Sequence, residues 1–305
     1  MSKVPIKFFS FLFLGILFFS SCQTADNREK TSEESHRIVT SFYPLAFLTQ
    51  EIVGEKAEVI DLSGNQEVHD FQPSPQNMVT LQTADLVILQ GAELEPWADD
   101  VLPQLNAKNI PVLEVSQSLK LQKMEETEQG HEENEEENHG EFDPHTWLDP
   151  VLAQNMVDVI LAKVIEIDGK DADLFRQNAE NLKKTLHEFD LQFQNLSCQN
   201  KEAIISHDAF GYLARRYGFT LHAIAGISTG DEPSAKLLAE LKAEAEEGIT
   251  HILTEENNVK RFAETLARET GLEMLPVFTL ETDSEPFFSG YEKNLNALRT
   301  AFQCQ

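Results

Sequence analysis

Three histidines stand in settings that restrict where an imidazole can point. His69 lies in EVHDFQPSP (67–75), His145 in FDPHTWLDP (142–150) and His207 in SHDAFGYLARRYG. Each has an aspartate within two residues, and the first two are framed by prolines, whose fixed φ stiffens a loop. Neutral imidazole is the commonest protein ligand for metals. Three of them from separate segments suit a borderline-soft divalent cation, zinc above all. The fourth donor of such a site is a carboxylate or water, and TLETDSEP offers Glu281 first and Asp283 second. Asp70 and Asp208, beside their histidines, are candidates for the acceptors that fix ring tautomers. Three histidines with an open fourth position would also serve an exported zinc hydrolase. Against that reading, the chain has no HExxH and no glutamate beside a ligand in the register of a general base.

The elements that must position these residues alternate. RIVTSF, AEVIDL, ADLVILQG and IPVLEV are strand candidates, interrupted by the helical segments PLAFLTQEIVG, NMVTLQTA and EPWADDVLPQL. EAIISH, FTLHAIAG, GITHILTE and EMLPVFTL repeat the scheme, separated by AFGYLARRYG, SAKLLAELKAEAEEG and VKRFAETLARETG. Strand–helix alternation predicts βαβ units, hence two α/β lobes, each a mainly parallel four-stranded sheet with flanking helices and its own core. His69 follows the second strand after a short loop, and His207 follows a strand ending at Ser206. Both therefore fall at the carboxyl edge, where open parallel sheets bind ligands. Between the lobes, Phe175, Ala179, Leu182, Leu186, Phe189, Phe193 and Leu196 recur in steps of four and three. That spacing predicts one apolar stripe on an unbroken helix from Asp171 to about Leu196, a rod of about 39 Å that joins the lobes.

Composition bounds the rest. With 24 Lys+Arg against 52 Asp+Glu, the net charge of −28 excludes a nucleic-acid binder, which must neutralise phosphates. Hydrophobic residues make up 41 % of the chain, the proportion of a globular protein. Lys3 and Lys7, an apolar run and the small residues Ser20 and Ser21 before Cys22 form a secretory signal over residues 1–21. Cys22 in that position resembles the acylated cysteine of bacterial lipoproteins, followed by a polar tether over 22–36. The remaining Cys198 and Cys304 are then in an oxidising setting and form one candidate disulfide. The stretch 125–143 holds ten acidic residues and no basic one. It forms a solvated insertion, taken as 121–141, whose His131 and His139 are secondary metal candidates. The lobes are bounded at 37–150 and 198–305, with a helical connector at 151–197. Of the other histidines, His36 falls in the tether, His187 on the rod, and His222 and His251 inside strands as packing residues.

Taken in order, EVHDFQPSP, ADLVILQGAELEPW, FDPHTWLDP, SHDAFGYLARRYG and AGISTGDEPSAKLLAEL resemble the high-affinity zinc-binding lipoproteins of metal ABC importers, in the zinc/manganese cluster of periplasmic binding proteins. The resemblance runs from about residue 37 to the end. It implies two lobes bridged by a long rigid helix, with Zn2+ held between them as cargo and not as a catalyst. It places the ligands at His69, His145 and His207 with an acidic residue in the last loop, and an ABC permease as partner. A manganese or iron carrier of the same fold is the alternative. The implied location is extracytoplasmic, on a lipid anchor, and a cleft that must meet a permease favours a monomer.

Overall fold

The computed structural model describes residues 35–123, 142–226, 233–255 and 259–305. The short β-branched runs become two parallel sheets. In the first, β1 (His36–Thr40), β2 (Ala57–Asp61), β3 (Leu86–Leu89) and β4 (Val112–Glu114) lie in the order β2-β1-β3-β4. In the second, β5 (Glu202–His207), β6 (Thr220–Ala225), β7 (His251–Thr254) and β8 (Glu273–Pro276) repeat it as β6-β5-β7-β8. Every pairing is parallel. Chain order therefore reverses between β1 and β3, and again between β5 and β7. These are the positions where doubly wound sheets open a ligand crevice at their carboxyl edge.

Helices α1 (Tyr43–Val53), α2 (Pro75–Gln82) and α3 (Ala98–Ala107) connect the first sheet, and α6 (Gly211–Tyr217), α7 (Ala235–Glu246) and α8 (Lys260–Thr270) the second. Because side chains alternate across a strand, neighbouring residues enter different cores. Leu86 and Ile88 face one core while Val87 and Leu89 face another, and Ile205 and Ile204 divide in the same way. The expectation of one separate core per lobe is corrected here. A single apolar core runs from Ile38 and Phe42 through Trp147 to Ile205, Leu253 and Tyr291, and each lobe adds an outer core of its own. The continuity follows from burial of the sheets' inner faces against a shared set of helices.

Two of those helices are α4 (Pro150–Ile167) and α5 (Ala172–Gln194). Asp149 caps α4, accepting from the amides of Val151 and Leu152 at 2.8 and 3.0 Å, which meets two of the four orphan donors of a helix start. The rod is α5. It is 23 residues long, about 35 Å, and ends two residues earlier than its apolar period suggests. Phe175, Ala179, Leu182, Leu186 and Phe193 are buried, and Phe189 and Leu196 pack at the margin. Near its start Asn178 Nδ2 donates to Ile52 O of α1 at 3.0 Å. Near its end Tyr217 Oη of α6 donates to the buried Asp190 at 2.9 Å, and Phe193 stacks on Tyr217 at 5.1 Å. One helix thus grips both lobes.

A further helix, α9 (Phe287–Ala301), is absent from the sequence reading, although Phe287, Tyr291, Leu295 and Leu298 keep a helical period and are buried. Residue 36 belongs to β1 and not to a tether, since His36 pairs with Ala57. Cys198 and Cys304 are bonded to each other, beside the amino end of β5.

Candidate metal centre

His69 occupies a single tight turn, Val68–Asp70. Its aim comes from its neighbours. Val68 and Phe71 are buried, and Phe71 meets Trp97 edge-on at 6.2 Å. Ser74 and Asn77 then close a reciprocal cap on α2, and Asn77 Nδ2 donates to Leu62 O at 3.2 Å. The stiffness read from Pro73 and Pro75 is completed by that cap and by two apolar anchors.

His145 is held from both sheets. Gln90, which follows β3, donates through Nε2 to Pro144 O and Thr146 Oγ1, both at 2.9 Å. From the second lobe Tyr212 Oη donates to Asp143 O at 2.7 Å and Arg216 Nε to Asp149 at 2.5 Å. Trp147 Nε1 donates to Thr279 O at 2.7 Å, and Tyr291 Oη donates to Trp147 O. Trp147 is fully buried against Phe42, at 4.7 Å. The motif FDPHTWLDP is therefore the pin between the lobes as well as the carrier of an imidazole.

His207 is the last residue of β5, one further than the strand end inferred at Ser206. Its Nδ1 lies 2.6 Å from Glu255 Oε1, just past β7, so the contact spans the reversal of strand order. Ser206 Oγ donates to the same carboxylate at 3.0 Å. On His145, Nδ1 lies 2.9 Å from Asp143 Oδ1, which also accepts the His145 amide at 2.9 Å. Carboxylates on both Nδ1 atoms orient the two rings and leave Nε2 of each as the atom that can face a metal. The acceptors are thus Asp143 and Glu255. Asp70 and Asp208, the adjacent residues, are exposed. Asp143 could have been found two places before its histidine. Glu255, 48 residues from His207, could not.

The free ends converge. His69 Nε2 and His145 Nε2 each lie 3.9 Å from Glu281 Oε1. The ligand atoms of His69, His145 and Glu281 are all within 4.8 Å of one another, the one such group among the described residues. The His207 ring packs against His145 with centroids 5.6 Å apart. The Nε2 atoms of His69, His145 and His207 and Glu281 Oε1 are all buried, and none has a hydrogen-bond partner. Donors around tetrahedral zinc stand about 3.3 Å apart for bonds of about 2.0 Å, so these three need a modest contraction, while His207 Nε2 lies outside that group and must approach further. Asp283 is exposed and outside the group. His131, His139 and Cys22 lie outside the described residues. His222 and His251 have partners elsewhere, Glu244 at 2.9 Å and Thr250 at 2.8 Å.

Burial sets the charge states. It lowers His69 to about 3, with His145 and His207 adding repulsion, and it drives His145 well below its ordinary range. Burial also opposes protonation of His207, but the charge and hydrogen bond of Glu255, aided by Glu281, outweigh it and raise that ring to about 9. Glu281 is pushed up to about 8, mainly by burial, with His207 opposing and Glu255 and Glu67 adding. At neutral pH two imidazoles are thus unprotonated, and a divalent cation must displace protons from the other two donors.

Two parallel α/β sheets with His69, His207 and Glu281 past the carboxyl ends of their strands, and the buried His145 in the segment that joins the sheets, fit a solute-binding class suited to a soft-to-borderline divalent ion. The chain belongs to the ZnuA family, described as zinc-uptake complex component A, periplasmic, whose model matches residues 38–301. It is 33 % identical over 298 residues to the zinc-binding lipoprotein AdcA of Streptococcus pneumoniae, a match covering 94 % of this chain and 59 % of that longer protein. It is 31 % identical over 302 residues to the high-affinity zinc uptake system protein ZnuA of Bacillus subtilis, covering 94 % of this chain and 93 % of that one. The Zn(II)-bound ZnuA-like domain of Streptococcus pneumoniae AdcA superposes with a TM-score of 0.73 at 31 % identity, over 88 % of this chain and 99 % of that domain.

Proposed function

We propose that this protein captures Zn2+ outside the cytoplasm and hands it to an ABC permease in the membrane. The ion enters a cleft between the lobes and is closed around by His69, His145, His207 and Glu281. The observation that carries this reading is the convergence of three buried polar atoms without hydrogen-bond partners, on His69, His145 and Glu281, with a fourth, His207 Nε2, on the ring packed against His145. Each would cost about 1–3 kcal/mol if left so, and one cation coordinates all four. Three imidazoles and a single carboxylate favour zinc over manganese, which prefers an oxygen-rich shell.

The chain's own groups do the preparatory work. Asp143 and Glu255 hold two rings in the tautomer that presents Nε2, and the pinning of residues 143–149 from both lobes sets the spacing. Zinc entry sends the protons of His207 and Glu281 to solvent, so uptake is favoured at neutral to alkaline pH. Four protein donors leave no coordination position for a substrate. The protein works as a monomer, acylated at Cys22 behind a signal over 1–21, with residues 22–35 as tether. The acidic stretch 125–141, through His131 and His139, binds a further ion weakly.

Calorimetric titration of metal-free residues 23–305 with zinc and then manganese tests the reading, beside His145→Ala and a variant lacking 125–141. Tight one-to-one zinc binding, lost in His145→Ala and much weaker for manganese, is expected, with a weak additional phase lost in the deletion. Unchanged zinc binding by His145→Ala would place the site elsewhere.

A further inference from the structure

The residue before Glu281 is held in a backbone conformation that leucine seldom adopts. Leu280 has φ 63°, in the left-handed region that crowds an L side chain. It is nevertheless buried, at 3 % exposure. Its side chain occupies the space in front of Gly290 on α9. A Cβ at Gly290 would stand 2.1 Å from Leu280 Cδ2, closer than atoms can approach, and 3.3 Å from its Cγ. Gly290 is therefore the notch into which Leu280 fits.

The backbone on the near side of Leu280 is also fixed. Phe278 N donates to Asn294 Oδ1 at 2.8 Å, and Asn294 Nδ2 returns a bond to Phe278 O at 2.7 Å. Asn294 is one helical turn beyond Gly290 on the same buried face of α9. Thr279 O is held by Trp147 Nε1 at 2.7 Å. Strained backbone persists where surrounding structure over-determines it, and it gathers at functional sites. Here the next residue is the carboxylate 3.9 Å from two imidazoles.

We propose that Leu280 and Gly290 are a positioning pair for the metal site. The leucine, keyed into the notch that glycine leaves open, turns the chain so that Glu281 faces inward. The proposal rests on the reading that Glu281 holds the cation. The glycine at 290 is thus a requirement of the site and not of α9, which would be better served as a helix by alanine.

The test measures zinc affinity by chelator competition for the parent, Gly290→Ala, Leu280→Ala and Glu281→Gln, and for each of the first two substitutions combined with Glu281→Gln. The absorption of the Co2+-loaded proteins is recorded alongside, since it reports the donor set. Glu281→Gln is expected to weaken binding about 100-fold and Gly290→Ala at least about tenfold, within the range of losses when a ligand's supports are removed. In the Glu281→Gln background the same alanine is expected to cost less than about twofold, because the contact through which it acts is gone. The Co2+ spectrum of Gly290→Ala should move toward that of Glu281→Gln. Leu280→Ala opens space, so it carries the test if Gly290→Ala does not fold. Parent-like affinity and spectrum in both alanine variants, or equal losses with and without Glu281, would overturn the proposal. If Glu281→Gln itself binds like the parent, the reading of Glu281 as a ligand fails first, and the positioning role fails with it.

Discussion

In the metal-free protein, Glu281 carries a cost that zinc, bound as proposed, would remove. Its carboxyl is pushed up to about 8 from an ordinary 4.5, mainly by burial. At pH 7 the folded state keeps a proton that the unfolded chain would have released. At about 1.4 kcal/mol per pH unit above the ordinary value, this costs roughly 3 kcal/mol. Glutamine has the same shape and no proton to hold, so Glu281→Gln should stabilise the protein in chelator by about that amount. For a chain of this size that corresponds to a Tm higher by roughly 6–12 °C. The sign follows from linkage: because the folded pKa is raised, the parent loses stability as pH climbs from about 4.5 to about 8, while the variant does not. The advantage should thus be near zero at pH 4.5 and full at pH 8. Saturating zinc should reverse the order. Ligand at about 1,000 times Kd adds about 4 kcal/mol to the parent, and less to a variant with a weakened site. Thermal unfolding by circular dichroism at pH 4.5, 7 and 8, with chelator and with zinc, reads all of this. A variant that melts at or below the parent in chelator at pH 7, or an advantage independent of pH, would refute the reasoning.

Two other outcomes are expected. Glu255→Gln removes the charge that raises His207, relieving proton competition of about 100-fold at pH 7 while costing about 10–100-fold in ligand support. Its zinc affinity should match or exceed the parent's at pH 7 and fall about 5–50-fold below it at pH 9, and an equal loss at both pH values in chelator competition would exclude this role for Glu255. The Cys198–Cys304 bond closes a separation of 106 residues, so Cys198→Ser/Cys304→Ser should lower stability by about 2–5 kcal/mol in urea unfolding. Zinc affinity should stay within twofold, because the bond lies at the opposite edge of the second sheet from His207; a larger loss would show that the two ends are coupled.

Much of the molecule could be read without coordinates because its signals are local. Strand and helix periods gave the eight strands, and the step of four and three from Phe175 to Leu196 located α5 to within two residues. The three histidines stood out because Asp-Pro and strand-end settings are written into adjacent residues. Asp70 and Asp208 were drawn from the same adjacency and turned out exposed, because closeness in the chain says nothing about which face of a strand or turn a side chain takes.

What folding decided is the set of long-range meetings. Glu255 reaches His207 because β7 is hydrogen-bonded beside β5, a pairing no local pattern encodes. Asp143 accepts from His145 inside a segment that Gln90, Tyr212, Arg216 and Trp147 pin from both lobes, so its usefulness depends on where the lobes stand. The shared core from Ile38 to Tyr291 arises from the same packing, which gathers the inner faces of both sheets with α1, α4, α5 and α9 into one cluster. Leu280, at a positive φ, meets Gly290, ten residues away, only in the folded chain. The sequence by itself determined the elements and the donor types, because backbone propensity and ligand chemistry are properties of single residues and their neighbours. Which donors meet, with which partners and at what proton affinity, was decided by tertiary structure, because distance and desolvation exist only once the chain is packed.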